Sequence, residues 1–200
     1  MTSAAATLLA DGTFQPVAYI GQGAQGSVML VQTTSSSEEE MVIRRCPQKE
    51  KRYVVKRLML HEPGDHHRAL QEAHALQALS CHPNIVDYHQ SFFDYGLDDD
   101  SSGPTSTTQS LNIVMGYCDA GDLSTHIRAR SRCGAWIPET LVLDWFVQIS
   151  QAVGFMHQNG WIHRDIKPSN IFLTSTGVIK VSPKLLPRLC LRCVHLFVGD

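Results

Sequence analysis

Three glycines within six residues, Gly21, Gly23 and Gly26, separate two stretches in which apolar and polar side chains alternate. Alternation over residues 14–31 predicts two short strands joined by a tight turn, because successive side chains of a strand point to opposite faces. The stretch after the last glycine continues as strand. A dinucleotide-binding fold would instead place a helix directly after such glycines. The sequence therefore predicts an antiparallel hairpin and disfavours that fold.

The pattern as far as residue 118 is rich in strands. Polar and basic residues over 33–51 predict a mobile loop, and the Asp-, Ser- and Gly-rich run Asp94–Ser110 predicts a flexible one. Apolar residues at helical spacing predict an amphipathic helix over His66–Leu79, which His82-Pro83-Asn84 ends. Short apolar or β-branched runs predict the remaining strands, at 53–58, Ile85–Phe93 and Leu111–Tyr117.

After residue 118 the pattern is mainly helical. One helix opens at Gly121–Leu123 and runs to about Ser131. A second begins at Pro138, where proline suits the first turn, and ends at Asn159-Gly160. A small hairpin follows, with strands at Ile171–Leu173 and Val178–Val181.

The composition is that of a globular protein rather than a membrane or nucleic-acid-binding one. The chain has 200 residues, 43% of them hydrophobic, and a formal net charge of −2. No apolar run approaches the roughly 20 residues of a membrane span, and the charge balance gives no global basic field for nucleic acid. Residues 1–13 lack the basic start of a secretory signal and predict a flexible N-terminus. We expect six scattered, reduced cysteines in a cytoplasmic protein.

An acid, a cation and an amide lie close together in His163-Arg164-Asp165-Ile166-Lys167-Pro168-Ser169-Asn170, a stretch that otherwise reads as loop. These groups suit phosphoryl transfer, which needs an acceptor for the hydroxyl proton, a charge near the phosphoryl group and a metal ligand. Such residues are common in polar turns. Their occurrence after the glycine-rich hairpin, and in this order, makes chance a poor explanation.

The stretch resembles the catalytic loop of protein kinases, and Gly21–Val28 matches the kinase pattern G-x-G-x-x-G-x-V. Lysine followed by proline within the loop resembles serine/threonine rather than tyrosine kinases. Several segments look most like NIMA-related kinases, namely Tyr53–Lys56, His82–Val86, Tyr117–Leu123, Val142–Ile149 and Asn170–Leu173.

The resemblance implies a role for each matching residue. Asp165 would accept the hydroxyl proton, Lys167 would add a cation near the phosphoryl group, and Asn170 would hold Mg²⁺. Lys56, paired with Glu72, would bind phosphates of ATP. Asp122 would contact ribose or substrate, or would only cap a helix. The remaining residues expected around the nucleotide are Ile20, Gly21, Gly23, Gly26, Val28, Met115, Tyr117, Cys118 and Leu173.

The implied architecture is an α+β, two-lobed protein kinase-like fold. We expect a five-stranded antiparallel sheet plus one helix in an N-lobe with hinge at 14–118, and a partial, mainly helical C-lobe at 119–181. Residues 182–200 would be a tail outside the family. The cofactors would be ATP and Mg²⁺, and the partner would be a protein substrate with a Ser or Thr acceptor. We expect the protein in the cytoplasm, in association with the cytoskeleton.

The family pattern breaks after Val181. Gly-Asp-Phe-Gly should follow, with its Asp as the other Mg²⁺ ligand, but Ser182-Pro183 stands there. Asp200 is the candidate replacement, as though the chain were truncated or interrupted. We therefore expect weak or no turnover, and a pseudokinase-like nucleotide-binding or scaffold module stays open as the alternative. Cys190, Cys193 and His195 have a zinc-like spacing but no second ligand pair, so we expect no zinc site.

Overall fold

The computed structural model describes residues 13–23, 26–33, 51–97, 107–182 and 186–187. The chain divides into two compact units. The first is made of Met1–Leu70 and Tyr88–Tyr117, and the second of Gln71–Asp87 and Cys118–Asp200. The predicted N-terminal segment, most of the predicted 33–51 loop, the Cys190/Cys193/His195 group and Asp200 lie outside the described residues.

The first unit contains an antiparallel sheet of five strands in the order β1-β2-β3-β5-β4. This confirms the predicted five-stranded sheet. Neighbouring strands in the sheet run in opposite directions, and their pairing register is continuous except for irregularities in β1 and near Tyr88 in β4. The strands are β1 Phe14–Gly23, β2 Gly26–Thr33, β3 Arg52–Leu60, β4 Tyr88–Leu97 and β5 Thr107–Gly116.

One cluster of apolar side chains packs strands of this sheet together. Phe14, Val31, Val55 and Val114 are almost fully buried, and three partly buried residues pack against them, namely Met29, Tyr53 and Phe92. Alternate residues of each strand share a face, which is why Tyr53 and Val55 both enter the cluster. Full burial of one such side chain stabilises the fold by about 1.5–3 kcal/mol.

The predicted flexible loop at Asp94–Ser110 was wrong at both of its ends. β4 continues to Leu97 and β5 begins at Thr107, with these two residues paired. Asp94 stays in the sheet because its carboxylate pairs with the Arg57 guanidinium of β3 at 2.5 Å. The polar composition predicted a loop, whereas a cross-strand charge pair keeps the residue in the ladder.

Helix α1, Pro63–Leu79, begins three residues before the predicted start. Asp65 explains the earlier start, because its Oδ2 accepts hydrogen bonds from the backbone N–H groups of His61 and Glu62. A first-turn side chain that reaches back in this way satisfies donors that the helix leaves unpaired. Proline at the first helical position needs no hydrogen-bond partner, so Pro63 starts the helix rather than breaking it.

The second unit contains helices α2, Leu123–Arg132, and α3, Glu139–Gln158. Both confirm the predicted helices to within a residue or two. Asp122 caps α2 by accepting a hydrogen bond from the Thr125 N–H at 2.9 Å. At the other end of α2 the chain reverses at Gly134, whose φ of 62° suits glycine. Among the described residues, no helix is long and apolar enough to cross a membrane.

Two short hairpins complete the described part of the second unit. β7, Ile171–Leu173, pairs with β8, Ile179–Val181, as predicted. β6, Trp161–Ile162, pairs with β9, Leu186–Pro187, so one short strand comes from the segment that we expected to lie outside the family fold. The core of the unit lies between α3, residues from the end of α1, and the β7–β8 hairpin, and includes Leu79, Trp145 and Met156.

The predicted strand start at Ile85 was wrong, since β4 begins at Tyr88. Ile85 is fully buried in the second unit and forms an isolated parallel bridge with Val181. The nearby His82 ring accepts a hydrogen bond from the Asn84 N–H at 3.1 Å. Burial, and secondarily the charge of Lys180, lowers the pKa of His82 below its usual value.

Candidate functional site

The glycine-rich hairpin is formed by β1 and β2, which pair as far as Gly23 and Gly26. Gly26 is required by the sheet, because an added Cβ would lie 1.8 Å from the carbonyl oxygen of Arg57. Gly21 is different, since an added Cβ there would meet nothing within 4 Å. The sheet itself therefore gives no reason for glycine at position 21, and the backbone there is open to a close approach.

Lys56 lies in the middle of β3, where it pairs with Val28 of β2 and Ile113 of β5. Strands on both sides fix its backbone. The next residue, Arg57, is held by Asp94 and by Asn112, whose Oδ1 accepts from the Arg57 Nε at 3.3 Å. Lys56 is thus a half-buried cation on a rigid strand.

The other predicted nucleotide-pocket residues are divided between the two units. Ile20, in β1, is 52% exposed, and Met115 is buried near the end of β5. Tyr117 is the last residue of the first unit and Cys118 opens the next segment of the second. Burial raises the pKa of the Cys118 thiol to about 11, so it stays protonated at neutral pH.

Glu72 and Leu173 belong to the second unit. Glu72 is half-buried in α1, and its pairing with Lys56 stays a prediction. Leu173 is buried, and its N–H donates to the Gly121 carbonyl at 2.8 Å. This bond ties β7 to the residues that precede α2.

The predicted catalytic loop joins β6 to β7. The buried His163 ring bridges its two sides: Nδ1 accepts from the Asp165 N–H at 3.2 Å, and Nε2 lies 2.7 Å from the Ser182 carbonyl oxygen. Because Nδ1 accepts, Nε2 must carry the proton and donate it to that carbonyl. Between His163 and Asp165, the backbone of Arg164 has a φ of 60°, a left-handed conformation that is uncommon outside glycine.

The three residues predicted to carry the chemistry come together around one carboxylate. Lys167 Nζ lies 3.0 Å from Oδ2 of Asp165. The Asn170 amide nitrogen donates to the same oxygen at 3.0 Å and to the Asp165 carbonyl oxygen at 2.7 Å. The carboxylate is thereby oriented, and the Asn170 amide oxygen is the atom that could bind a cation.

A second metal ligand is not evident in the described part of the loop. Two hydrogen bonds fix the backbone of Ser182. Its N–H donates to the Asn170 carbonyl at 3.0 Å, and its carbonyl oxygen accepts from His163 Nε2. The next residue in the sequence is Pro183, whose side chain has no metal-binding group. Among the described residues there is no cluster of three or more His, Cys, Asp or Glu side chains suited to a metal ion. Asp200 lies outside those residues.

Asp122 caps α2, which is one of the two roles predicted for it. Its other predicted role, contact with ribose or substrate, stays a prediction. Its carboxylate accepts hydrogen bonds from Thr125 and from the Ser124 hydroxyl. Burial acts to raise the pKa of Asp122, but these hydrogen bonds outweigh it and hold the pKa below the usual value. The residue is therefore ionised at neutral pH.

Gln148 is a positioning residue that the sequence did not reveal. Its Oε1 accepts from the Asn84 side chain and from the Ile179 N–H, both at 2.8 Å, so one amide oxygen joins α3 to β8. Its amide nitrogen donates to Asp144 at 2.8 Å. A glutamine on a helix has no distinguishing pattern, and only the fold brings its partners together.

Comparison with known proteins identifies the family. The protein kinase domain matches residues 14–182, nearly the whole of the described chain. The chain therefore belongs to the protein kinase family. The predicted catalytic loop and glycine-rich hairpin both lie within the match.

The relatives include several NIMA-related serine/threonine kinases, which confirms the predicted resemblance. Mouse serine/threonine-protein kinase Nek4 is 36% identical over 164 residues, covering 81% of this chain and 17% of the relative. Mouse Nek1 is 36% identical over 165 residues, covering 81% of this chain and 11% of the relative. Mouse Nek3 is 35% identical over 162 residues, covering 81% and 26%. The chain thus spans about a quarter or less of the length of these relatives.

Proposed function

We propose that this kinase domain transfers the γ-phosphoryl group of ATP to Ser or Thr hydroxyls of proteins, and that the 200-residue chain alone does so weakly or not at all. The observation that carries the proposal is the Asp165 carboxylate, oriented by Asn170 and paired with Lys167 at 3.0 Å. A carboxylate so placed can orient an acceptor hydroxyl and take its proton.

The role of each loop residue follows from its chemistry. As the acceptor oxygen attacks the γ-phosphorus of ATP, the bond from that phosphorus to the β–γ bridging oxygen would break and ADP would leave. The acceptor's proton would pass to Asp165, while Lys167 would offset negative charge on the phosphoryl oxygens. His163 would keep the loop in place through its two ring nitrogens. The acceptor is a hydroxyl on a protein chain, which is the substrate class that the serine/threonine kinase relatives share.

On the nucleotide side, Lys56 would bind phosphate oxygens, and the open backbone at Gly21 would let phosphate approach closely. Gly23, Gly26 and Val28 would shape the same hairpin, and Ile20 would offer apolar surface to the base. The residues of the expected hinge would complete the base pocket together with Leu173; they are Met115, Tyr117 and Cys118. Glu72 would hold the lysine side chain in its binding orientation.

The donor set fits half of a magnesium site. Asn170 offers a neutral oxygen, which Mg²⁺ accepts, but such sites also use at least one carboxylate. Mg²⁺, when bound, would neutralise charge on the phosphate oxygens. Asp200 is the candidate for the missing carboxylate. We expect weak turnover because Asp200 lies far along the chain from Ser182, whereas the family pattern has the metal-binding Asp close to this point.

Nucleotide binding and phosphoryl transfer can be tested separately on the 200-residue chain. We expect ATP with Mg²⁺ to raise the melting temperature, since a ligand at 100 times its Kd stabilises a fold by about 2.7 kcal/mol. Lys56→Met should abolish the shift and Asp165→Asn should keep it. Transfer to a generic basic protein should stay near the Asp165→Asn background.

Two results would contradict these proposals. Rapid transfer that depends on Asp165 would contradict the expectation of weak turnover. A melting temperature unchanged by ATP, with or without Mg²⁺, would contradict the nucleotide site and leave a scaffold. The pseudokinase-like module is favoured by one observation, the proline that follows Ser182, and it predicts ATP binding that does not depend on Mg²⁺.

We further propose that the complete protein acts in the cytoplasm and associates with the cytoskeleton. The proposal rests on the resemblance to NIMA-related kinases alone. Fluorescence microscopy of the complete, tagged protein tests it, and a uniform distribution unaffected by depolymerising microtubules would argue against the association.

A further inference from the structure

The C-terminal end of α2 is basic and is followed closely in the chain by an exposed tryptophan. The helix contains Arg128, Arg130 and Arg132 and has no Asp or Glu between Leu123 and its end. Trp136, four residues beyond, is 93% exposed. Tryptophan buries much of its large surface in most folds, so an open indole this close in sequence to exposed arginines calls for an explanation. Arg128 and Arg132 share one face of the helix, whereas Arg130 lies about 200° around it from each. We call Arg128, Arg132 and Trp136 the arginine–tryptophan surface.

The backbone keeps this surface together. After α2 the Gly134 N–H donates to the Ser131 carbonyl at 3.1 Å, and the Ala135 N–H donates to the Arg130 carbonyl at 3.0 Å. These two bonds form the glycine-terminated helix end known as the Schellman motif. Because residue 135 is bonded back to the last turn, the chain that carries Trp136 starts beside the arginines rather than away from them.

The three guanidinium groups have little negative charge to meet. Arg128 donates to the Ser124 carbonyl and to the Ser124 and Thr125 hydroxyls, each at 3.3 Å. Within the part of the chain that the structure describes, Arg130 and Arg132 make no side-chain hydrogen bond or ion pair.

Their arrangement is mildly unfavourable without a partner. Arg128 and Arg132 are four residues apart on one helix face, a spacing at which like charges destabilise a helix by about 0.2–0.5 kcal/mol. The nearest acids along the chain are Asp122, at the opposite end of α2, and Glu139, at the start of α3. The helix dipole favours cations at this end, but it does not explain the open tryptophan.

We propose that the arginine–tryptophan surface binds a phosphorylated, acidic peptide segment of a partner protein. Guanidinium groups match phosphate oxygens with paired hydrogen bonds, and an exposed indole gives a peptide an apolar surface to pack on. The surface contains none of the residues assigned to phosphoryl transfer. Binding there therefore needs none of the side chains proposed to take part in phosphoryl transfer.

The size of the surface favours a peptide over other anionic partners. Recognition of anionic membranes by basic segments uses clusters of about four to eight Lys or Arg, and nucleic-acid binding uses a basic stripe with many phosphate contacts. Here Arg128 to Arg132 span about 6 Å of helix, one turn. That length fits one or two phosphorylated side chains, and the net charge of −2 adds no wider basic field.

The test is fluorescence anisotropy with the 200-residue chain and a fluorescein-labelled 12-residue peptide that has two phosphoserines among glutamates. We expect saturable binding that weakens as salt rises. Arg128→Glu with Arg132→Glu should weaken binding by about tenfold or more, and Trp136→Ala by about threefold or more. Arg52→Glu with Arg68→Glu, two exposed arginines elsewhere, makes the same change in net charge and should alter Kd less than about twofold.

Three outcomes would overturn the proposal. The first is no binding of the phosphopeptide by the parent chain. The second is an equal loss of affinity in both double variants, because that would show a general charge effect. The third is tighter binding, through the same residues, of vesicles containing phosphatidylserine or of a 20-residue oligothymidine, because the partner would then be a membrane or a nucleic acid. Circular dichroism checks that the variants are folded.

Discussion

Replacing Gly26 by alanine tests how closely β2 approaches β3. The added Cβ would lie 1.8 Å from the Arg57 carbonyl oxygen and 2.8 Å from its carbon, whereas ordinary contact begins at 3.4 Å. Both contacts are to backbone, which cannot rotate away. The two strands must therefore separate locally by roughly 1.6 Å, a distance at which the attraction between packed atoms is largely lost.

The magnitude follows from what that separation breaks. Gly26 pairs with Leu58 at the end of the β2–β3 ladder, and Ser27 pairs with Arg57. Each backbone hydrogen bond lost costs about 1 kcal/mol, and overpacking typically costs about 1–3 kcal/mol. We expect Gly26→Ala to lower the free energy of unfolding by about 2–4 kcal/mol. For a chain of this size the melting temperature should fall by about 2–4 °C for each kcal/mol.

Gly21→Ala is the matched control, because the same change there meets nothing within 4 Å. Its free energy of unfolding should stay within about 0.5 kcal/mol of the parent. Urea unfolding followed by circular dichroism measures both variants. If Gly26→Ala proved as stable as Gly21→Ala, the close contact between β2 and β3 would be refuted. A reduced response of Gly21→Ala to ATP would support a nucleotide at the open backbone.

Three further predictions concern charge. The pKa of His82 is lowered in the fold, so at a pH below about 6.5 the folded chain binds fewer protons than the unfolded chain. The contribution of His82 to stability is therefore complete above about pH 6.5 and should be lost as the pH falls. His82→Gln should flatten the dependence of the unfolding free energy on pH between about 7 and 5. Asp122→Ala should lower stability at pH 7 by about 1 kcal/mol through loss of the α2 cap, whereas Asp122→Asn should recover most of it. Asp94→Ala should lower the free energy of unfolding in urea by about 2–4 kcal/mol, since it leaves the mostly buried Arg57 without its carboxylate partner. Asp87→Ala removes a largely exposed carboxylate from its pair with Lys180 and should lower it by less than about 1 kcal/mol. Equal losses in the two variants would contradict the role of burial.

The sequence predicted the elements with local signals well. Alternation and glycine predicted the β1–β2 hairpin, and helical spacing with Pro138 predicted α3. It failed where a distant residue decides the local structure. Asp94 lies in a strand because Arg57 binds it, and Ile85 leaves β4 because Val181 pairs with it. Neither contact can be read from a window of neighbouring residues.

The candidate site divides in the same way. The motif around Asp165 singled out three residues whose side chains meet in the structure, and they could be found locally because they lie within six residues and share one loop. Gln148 was missed because its partners, Asn84 and Ile179, are far apart in the chain. A position with no local pattern becomes a positioning residue only once the fold is formed.

The single amide oxygen of Gln148 also limits how this domain can change. Asn84 and Ile179 lie 95 positions apart, yet both hydrogen-bond the same atom. Glutamate would keep the acceptor but would lose the donation to Asp144 and place two carboxylates side by side. Leucine would remove the acceptor of the Ile179 N–H and of one Asn84 side-chain N–H, although Asn84 would keep its bond to the Ile179 carbonyl. A substitution on an ordinary helix would thus loosen β8, and with it Ser182, while every residue of the predicted catalytic motif remained intact.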